Sequence, residues 1–358
     1  MKKVCVIFGG ASVEHDISII TGMQLAKNLE TKMAVEKIYL GLDNKFYLAT
    51  KLKDLAEFES KDKLNLKELF IYDNALYTKG VFFKKYCDID CIINCCHGGV
   101  GENGDLAGFL AVNNIKFTSS NCLSSHIAMD KSLTKQLLKE IVPTIKGVKV
   151  TKSNFEQMTK LIEETFSNDL IVKPNSLGSS IGVKACTKEN YELQIMAIFE
   201  MNDDALVEER VVDLVEYNQA CFLDGEELNL SAIEQPITKA DFLTFEDKYK
   251  APTKTKGKDR IIPAKISKSL EKKINNYTAK IYTELGMKGV VRIDYIFDKT
   301  NNMLYFNEIN TIPGSMAFYL YEDKGIDYIT LIEKIIKNIE NTQKFAYFDT
   351  KILKNKKI

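Results

Sequence analysis

One stretch constrains this chain more than any other: Gly289 to Gly314, reading GVVRIDYIFDKTNNMLYFNEINTIPG. Two apolar runs, Val290 to Phe297 and Met303 to Phe306, flank the turn-forming residues DKTNN, and this pattern predicts a β-hairpin. Side chains alternate faces along a strand, so Arg292 and Asp294 share one face while Ile293, Tyr295 and Phe297 take the other. On the return strand Phe306, Glu308 and Asn310 share a face, and folding about the turn sets Glu308 roughly opposite Arg292 and Asp294. Converging oxygens of Asp294, Glu308 and Asn310 suit a hard divalent ion such as Mg²⁺. The nearby Arg292 is then free to hold an oxyanion or a phosphate. A solvated or salt-bridged strand face would read the same way, but the continuation NTIPG adds a tight turn that sets a Gly backbone N–H beside the charged face.

The chain of 358 residues is long enough for two or three domains, and its 45% hydrophobic and 27% charged residues are ordinary for a globular protein. Lys plus Arg equals Asp plus Glu at 49 each, which argues against a nucleic-acid partner. No apolar run approaches the ~20 residues that span a bilayer, so no membrane association is expected. MKKVCVIF, followed at once by GGASVEHD, is too short for a signal peptide. Cysteines sit mostly in strand-like apolar runs (Cys5, Cys91, Cys95, Cys221) without a disulfide framework, which points to a reducing cytoplasm. Cys87, Cys91, Cys95, Cys96 and His97 make a poor metal set. Their CxxxC spacing within a predicted strand splays the thiols, and small buried hydrophobes are the better reading.

Val4 to Phe8 reads as a buried strand, followed by GGASVEHD and a helix with Ile19, Ile20, Met23 and Ala26 at helical spacing. A dinucleotide fingerprint is missing. Asp16 suits the helix dipole, whereas Glu14 lies at the carboxyl end of the first strand, where α/β sheets bind ligands. Residues 41 to 86 are less regular and Lys-rich, with short aromatic strands around Phe46 and Leu76 to Phe83, and carry no recognisable chemistry. Asp90 to Cys96 is a second buried strand ending in HGGVGENGD, a Gly-rich loop where backbone approaches a ligand or where His97 hydrogen-bonds the turn. Met129-Asp130-Lys131 opens a helix through Ile141, with Lys131 placed against the dipole unless it faces an anion. DLIVKP carries Lys173 inside an apolar strand, where it needs a counter-charge, and the NSLGSSIGV that follows can fold over phosphates. ALVEERV ends in charges that could meet an adenine and a ribose or merely solvate a strand end. Tyr217 to Leu223 and Glu227 to Ile233 form an antiparallel pair about Asp224-Gly225. Lys248 to Arg260 holds five Lys and one Arg against one Asp, and reads as a loop that is either solvated or a lid over an anion. The last helix presents Ile329, Ile332, Ile335, Ile336 and Ile339 to the core.

Together GGASVEHDIS, HGGVGENGD, MDK, IVKPNSLGSSIGV, VEERV, EDKY, RIDY and NEINTIPG resemble the D-alanine–D-alanine ligases of the ATP-grasp superfamily, nearly end to end and in that family's order. The resemblance implies an α/β (α+β ATP-grasp) chain. An N-terminal Rossmann-like α/β substrate domain (1–121) would precede two ATP-grasp subdomains that sandwich the nucleotide. The central one (122–212) would carry the Gly/Ser-rich phosphate loop; the C-terminal one (213–358) would carry a lid at about 248–260 and the Mg²⁺/oxyanion hairpin. It further implies that ATP phosphorylates the carboxylate of one D-alanine and that the amine of a second attacks the acyl phosphate, for peptidoglycan precursors. By motif position, Glu14 would hold the first ammonium within a set including Ser179 and Tyr249, and His97 would lie near the first carboxylate. Lys131, Lys173, Ser179, Ser180 and the lid residue Lys248 would hold ATP phosphates, with Asn307 and Glu308 at the same end. Glu208, the backbone at Glu209 and Val211, Glu216 and Phe242 would hold adenine and ribose. Asp294, Glu308 and Asn310 would carry two Mg²⁺, with Mn²⁺ an acceptable replacement, while Arg292 and the Gly314 N–H would stabilise the oxyanion. A homodimer through the first domain is implied as well.

The chain departs from the family pattern in places. Where the family has a Ser, five residues past Pro-Gly, to contact the second carboxylate, this chain has Tyr319. The lid is longer and basic, and one residue is inserted before Glu216. Tyr249 accompanies a preference for D-alanine over D-lactate in this family. These departures keep two alternatives open: a paralogous carboxylate–amine ligase with another acceptor, and an ATP-binding regulatory protein without ligase turnover.

Overall fold

The computed structural model describes residues 3–58, 66–237 and 260–339, which form three sheets. The first holds β1 (Val4–Gly9), β2 (Val35–Leu40), β3 (Phe46–Leu48), β4 (Lys67–Tyr72), β5 (Ala75–Lys79), β6 (Phe83–Asp88) and β7 (Cys91–Asn94), in the order β6-β5-β4-β3-β2-β1-β7. β1 pairs in parallel with β2 and β7, and every residue of β1 is buried, as its unbroken apolar run requires. The less regular stretch, with short strands expected around Phe46 and Leu76 to Phe83, supplies β3 to β6, all antiparallel; the second expected strand is broken into β5 and β6. Its turn between β4 and β5 is Asp73-Asn74, both in the left-handed region (φ 43° and 58°), the twist a two-residue hairpin needs. Charged β6 is the exposed edge.

Helix α1 (His15–Leu29) packs on β1 through Gly22, whose missing side chain lets Phe8 lie against the helix. Ile19 and Met23 are buried as expected, but Ile20 is 45% exposed: the covered stripe is narrower than the apolar one. After the short α2 (Gly99–Glu102) and α3 (Asp105–Val112) come two helices where one was expected. These are α4 (Cys122–Met129), capped by Asn121, and α5 (Lys131–Leu138), capped by Asp130, whose carboxylate accepts the Leu133 N–H at 2.9 Å. Asp130 therefore starts a helix, and Lys131 emerges from its first turn.

The second sheet is antiparallel, in the order β10-β9-β11-β8: β8 (Gly147–Val150), β9 (Asp169–Pro174), β10 (Lys184–Thr187) and β11 (Ala205–Glu209). Helices α6 (Phe155–Thr165) and α7 (Tyr191–Glu200) enclose with it a core that includes Ile162, Val172, Tyr191 and Ile195. The third has the order β14-β13-β12-β15-β16: β12 (Leu214–Asp224), β13 (Glu227–Pro236), β14 (Arg260–Ile261), β15 (Val291–Asp298) and β16 (Met303–Asn310). Both expected hairpins form, β12 with β13 and β15 with β16. In the latter, Arg292 stands opposite Asn310 and Asp294 opposite Glu308, with an irregularity just after Asp294. The helix Lys268–Glu284 buries Ile274, Ile281 and Tyr282 against this sheet.

The last helix, Tyr328–Lys337, buries Tyr328, Leu331, Ile332 and Ile335, so Ile329 and Ile336 sit only at the margin of its covered face. Tyr328 stacks on Phe318 with ring centroids 4.5 Å apart, which turns the helix toward that side. Leu331 and Ile332 share one core with Phe8 and Met23 of the first domain and Phe222 of β12, so the two ends of the chain are packed together. Gly22→Ala would press a methyl group into the Phe8 side chain. It should destabilise the fold by about 1–3 kcal/mol despite the better helix propensity of Ala, and an unchanged denaturant midpoint would refute this packing.

Candidate active site

Residues of the second and third sheets line a cleft with about 1060 Å³ of space, including its mouth. That is ample for a nucleotide. Ile145, Ile171, Val183, Leu214 and Ile296 make one part apolar, while Lys131, Lys173, Arg292, Asp294, Asn307 and Glu308 gather at another. A flat base suits the former and a polyanion the latter.

The counter-charge that Lys173 demanded is Glu208, 2.7 Å away across β9 and β11, and its ammonium also donates to Asn307 at 3.1 Å. The other oxygen of Glu208 holds Lys135 of α5. Burial alone would raise Glu208, but Lys135 and then Lys173 outweigh it and hold its carboxyl at about 2. Burial pulls Lys135 down to about 8, with the Glu208 charge opposing, so Lys135 and Glu208 are both ionised at neutral pH. Both oxygens of Glu208 are thus engaged by lysines at the floor of the cleft. Lys131 donates to the Leu177 carbonyl at 2.7 Å and lies 3.8 Å from Glu308, facing the anion that its place on the helix required.

On the hairpin, Arg292 grips Asp294 with both arms, Nε to Oδ1 and Nη2 to Oδ2, each at 2.7 Å. Burial opposes its charge, but the attraction and hydrogen bonds of Asp294, with Tyr319 and Glu234, together outweigh it and keep the guanidinium protonated. The Asn310 side-chain oxygen Oδ1 accepts the Ile312 N–H at 3.2 Å. Asp294 and Glu308 are two carboxylates on paired strands with an amide oxygen nearby. Among the described residues no cluster of three His, Cys, Asp or Glu exists. Two carboxylates and an amide oxygen fit a hard cation that takes the rest of its oxygen shell from phosphate or water.

The first domain supplies the remaining wall. Glu14 precedes α1 without capping it, and its carboxylate accepts the hydroxyl of Ser179. Gly98 and Gly178 press on that carboxylate, where a Cβ would lie 3.1 Å and 2.8 Å from Glu14 Oε2. Ser179 and Ser180 both have left-handed backbones (φ 54° and 59°), which folds the loop back over the cleft. His97 is buried, its Nε2 3.0 Å from the Thr21 hydroxyl. Burial lowers its pKa and the Arg292 charge adds to this, against Glu14, so the imidazole is neutral at pH 7. Tyr319 donates to Glu234 at 3.3 Å beneath Arg260, whose guanidinium lies 4.7 Å from the ring centroid. Burial and then Glu234 push that phenol up to about 12.

Ser180, Glu209, Val211 and Glu216 line the cleft as expected, and Glu209 also pairs with Lys146 at 3.2 Å. Gly314 opens the helical turn after the NTIPG segment. Phe242, Lys248 and Tyr249, with all of the expected lid before Arg260, lie outside the described residues. Three groups were not singled out from the sequence. Lys135 could have been found as the residue one helical turn beyond Lys131, on the same face. Glu234 carried no local signal. Glu102 stood only as one member of a Gly-rich loop, yet its carboxylate accepts four hydrogen bonds.

This architecture, a nucleotide-sized cleft between two antiparallel sheets behind an N-terminal α/β domain, is that of the ATP-grasp fold. Models for the D-ala D-ala ligase N-terminus and C-terminus match residues 3–120 and 139–337. The D-alanine–D-alanine ligase of Thermosipho melanesiensis is 34% identical over 99% of both chains, and that of Helicobacter acinonychis 32% identical over 100% of this chain and 99% of that one. The crystal structure of the Helicobacter pylori D-alanine–D-alanine ligase superposes with a TM-score of 0.77 at 28% identity, covering 95% of this chain and 99% of that one. The VanG D-Ala:D-Ser ligase of Enterococcus faecalis superposes at 0.81 with 25% identity and the same coverage. The chain belongs to the D-alanine–D-alanine ligase family. That family uses ATP and a divalent cation.

The buried triad makes a pH prediction. The carboxyl of Glu208 is held at about 2, below its ordinary 4.5, so its ionised form stabilises the fold above about pH 4.5 and that contribution is lost as pH falls toward 2. Glu208→Gln should cost about 3–5 kcal/mol at pH 7, by stranding two lysines, and much less at pH 3. Urea unfolding of both proteins at the two pH values tests this; equal gaps would remove the triad from the account.

Proposed function

We propose that this protein is an ATP-dependent, ADP-forming ligase that joins two D-alanines through an acyl phosphate, making the dipeptide for peptidoglycan precursors. The observation that carries this reading is convergence. Lys131 and Lys173, the Arg292–Asp294 fork with Glu308, and the Glu14–Ser179 bond meet at one end of a nucleotide-sized cleft. Joining a carboxylate to an amine in water is uphill, so the carboxylate must be activated first. Phosphoryl transfer onto a carboxylate brings two anions together, and fixed cations offset that repulsion.

Glu14, oriented by Ser179, would hold the ammonium of the first D-alanine, with neutral His97 nearby. Lys131, Lys173 and the Ser179-Ser180 loop would bind phosphates; Asn307 would orient Lys173. The apolar part of the cleft would take adenine, with Glu208 fixed behind it, the backbone of Glu209 and Val211 at its edge and Glu216 toward the ribose. Asp294, Glu308 and Asn310 would hold two Mg²⁺, or Mn²⁺, which would supply positive charge to the phosphate oxygens. Arg292 keeps Nη1 outside its fork with Asp294, and that group and the Gly314 N–H would face the oxygen on which charge develops. The family pattern would add Phe242 beside the base, Lys248 at the γ-phosphate and Tyr249 in the Glu14 set, and would make 248–260 the lid. The same pattern divides the chain at about residues 121 and 212. None of the eight cysteines is in a disulfide, which would suit a reducing cytoplasm. Val81, Phe82 and Phe83 are exposed at the edge of the first sheet, which supports pairing of two chains through that domain.

One observation favours a second reading of the acceptor. Tyr319 stands where the family places a serine, and it is tied to Glu234. Measuring ADP release and product mass with D-alanine alone, then with D- and L-amino acids, decides between these readings. The D-alanine dipeptide should form with D-alanine alone; release only from mixtures would mean another acceptor, and no amino-acid-dependent release would leave an ATP-binding protein without ligase activity. Arg292→Ala should lower kcat by on the order of 10²-fold while ATP still binds, as for loss of an oxyanion donor; unchanged kcat would end that assignment. Glu14→Gln should chiefly raise the KM of the first substrate, and a normal KM would leave Glu14 without a substrate role.

A further inference from the structure

Glu102 sits at the end of α2 and its two oxygens serve segments some two hundred residues apart. Oε2 accepts the Gly98 N–H at 2.8 Å, closing the loop that follows His97. Oε1 accepts the Thr311 N–H at 3.1 Å, the Thr311 hydroxyl at 3.0 Å and the Ile312 N–H at 3.2 Å. These donors lie between Asn310, which stands opposite Arg292, and Gly314. Thr21 makes a second, weaker stitch, its hydroxyl 3.0 Å from His97 Nε2 and 3.5 Å from the Ser315 N–H. The loop on the Glu102 side is itself fixed, since Gly98 packs on Glu14 and the Ser12 hydroxyl donates to the His97 carbonyl at 2.6 Å.

From this geometry we infer that Glu102 is a positioning residue that sets the oxyanion turn of the third sheet in register with the first-substrate loop of the first domain. The two walls come from different domains, so no secondary structure holds their spacing. A carboxylate with four donors from both sides does. Both oxygens accept, and all four bonds form together only while the carboxylate is ionised, although burial and then the Glu14 charge raise its pKa to about 7; an amide would turn an N–H toward one set of donors. A misplacement of about 1 Å at such a junction can cost about 10²-fold in rate. It would also leave the acyl phosphate poorly presented to the amine, so water would consume more of it. A plain structural strut would lower stability without changing how much dipeptide each ADP yields.

This rests on the ligase reading, and the test separates the two. In the full-length protein, Glu102→Gln and Glu102→Ala should lower kcat for D-alanine-dependent ADP release by about 10- to 100-fold. They should also reduce the dipeptide formed per ADP and leave the KM for ATP within about twofold, because the nucleotide cleft lies elsewhere. Thr311→Val, which removes only the hydroxyl donor, should show a smaller fall in the same ratio, and Thr311→Ser should restore it. If Glu102→Ala does not fold, the Gln and Thr311 variants carry the test. Folded variants with wild-type kcat and wild-type dipeptide per ADP would overturn the inference while leaving the function intact. A wild-type protein that releases no ADP with D-alanine would take down the functional reading and this inference with it.

Discussion

Asp294 and Glu308 face each other directly across paired strands, and two like charges in that position repel. Much of the cleft can be understood as the answer to that repulsion. Arg292 neutralises Asp294 with a two-armed grip from its own strand face, and Lys131 approaches Glu308 from the start of another helix. Lys131 can do so because Asp130 caps the helix and spends its own carboxylate on the Leu133 amide. Lys173, with Lys135 behind it, is held by a single buried carboxylate, Glu208, so this cluster carries more positive than negative charge. Such a surplus costs stability in the empty protein. It is recovered when a polyanion and its cation enter, which is how a binding site differs from a salt-bridge network built for stability alone.

The reacting centre belongs to no single sheet. In the proposed arrangement the second sheet would contribute Lys173, the third the hairpin, and the loops after β1 and β7 Glu14 and His97, each element packed in its own core. Their spacing is therefore a tertiary property. It is set by a few bonds between distant segments, such as Ser179 to Glu14, and by the apolar core that the last helix shares with β1 and α1. The left-handed pair Ser179-Ser180 lies at one such junction, a backbone state held only because the surrounding contacts require it. Strain placed there is consistent with a loop whose geometry is chosen for its ligand.

What could be read from the sequence follows the range of the interaction. The hairpin was legible because period-two alternation fixes which side chains share a face, and the observed register places Asp294 against Glu308 as that reading required. The need of Lys173 for a counter-charge was legible from burial energetics, although the partner was not. Glu208 read as the rim of a nucleotide site, and only the pairing of β9 with β11 shows that it sits between two lysines. Lys135 resembled any surface lysine until α5 turned it inward. In residues 41 to 86 the aromatic strands at Phe46 and Leu76 were legible, whereas β4 and the break between β5 and β6 were not, because strands this short carry too little periodicity to recognise. Glu102 was illegible for a different reason: its partners are far away in sequence and are mostly backbone amides, which no residue pattern encodes.

The same reasoning bears on the acceptor side. Asn218 stands opposite both Glu234 and Asp294 in the sheet, so a row of polar side chains runs from Glu234 through Asn218 and Asp294 to Glu308. Tyr319 closes over the Glu234 end of that row, and Arg260 both pairs with Glu234 at 3.0 Å and covers the tyrosine ring. A serine at that position would present one small hydroxyl to a substrate carboxylate. A tyrosine whose hydroxyl is already given to a buried carboxylate presents instead an aromatic edge and a nearby guanidinium. If the acceptor carboxylate binds here, as the family pattern for residue 319 implies, Arg260 would supply its charge only in competition with Glu234, and the balance between them would be a property of this cluster rather than of residue 319 alone. On that reading, selectivity for the second substrate would depend on how Glu234, Arg260 and Tyr319 share their bonds, which a one-residue comparison with serine would miss.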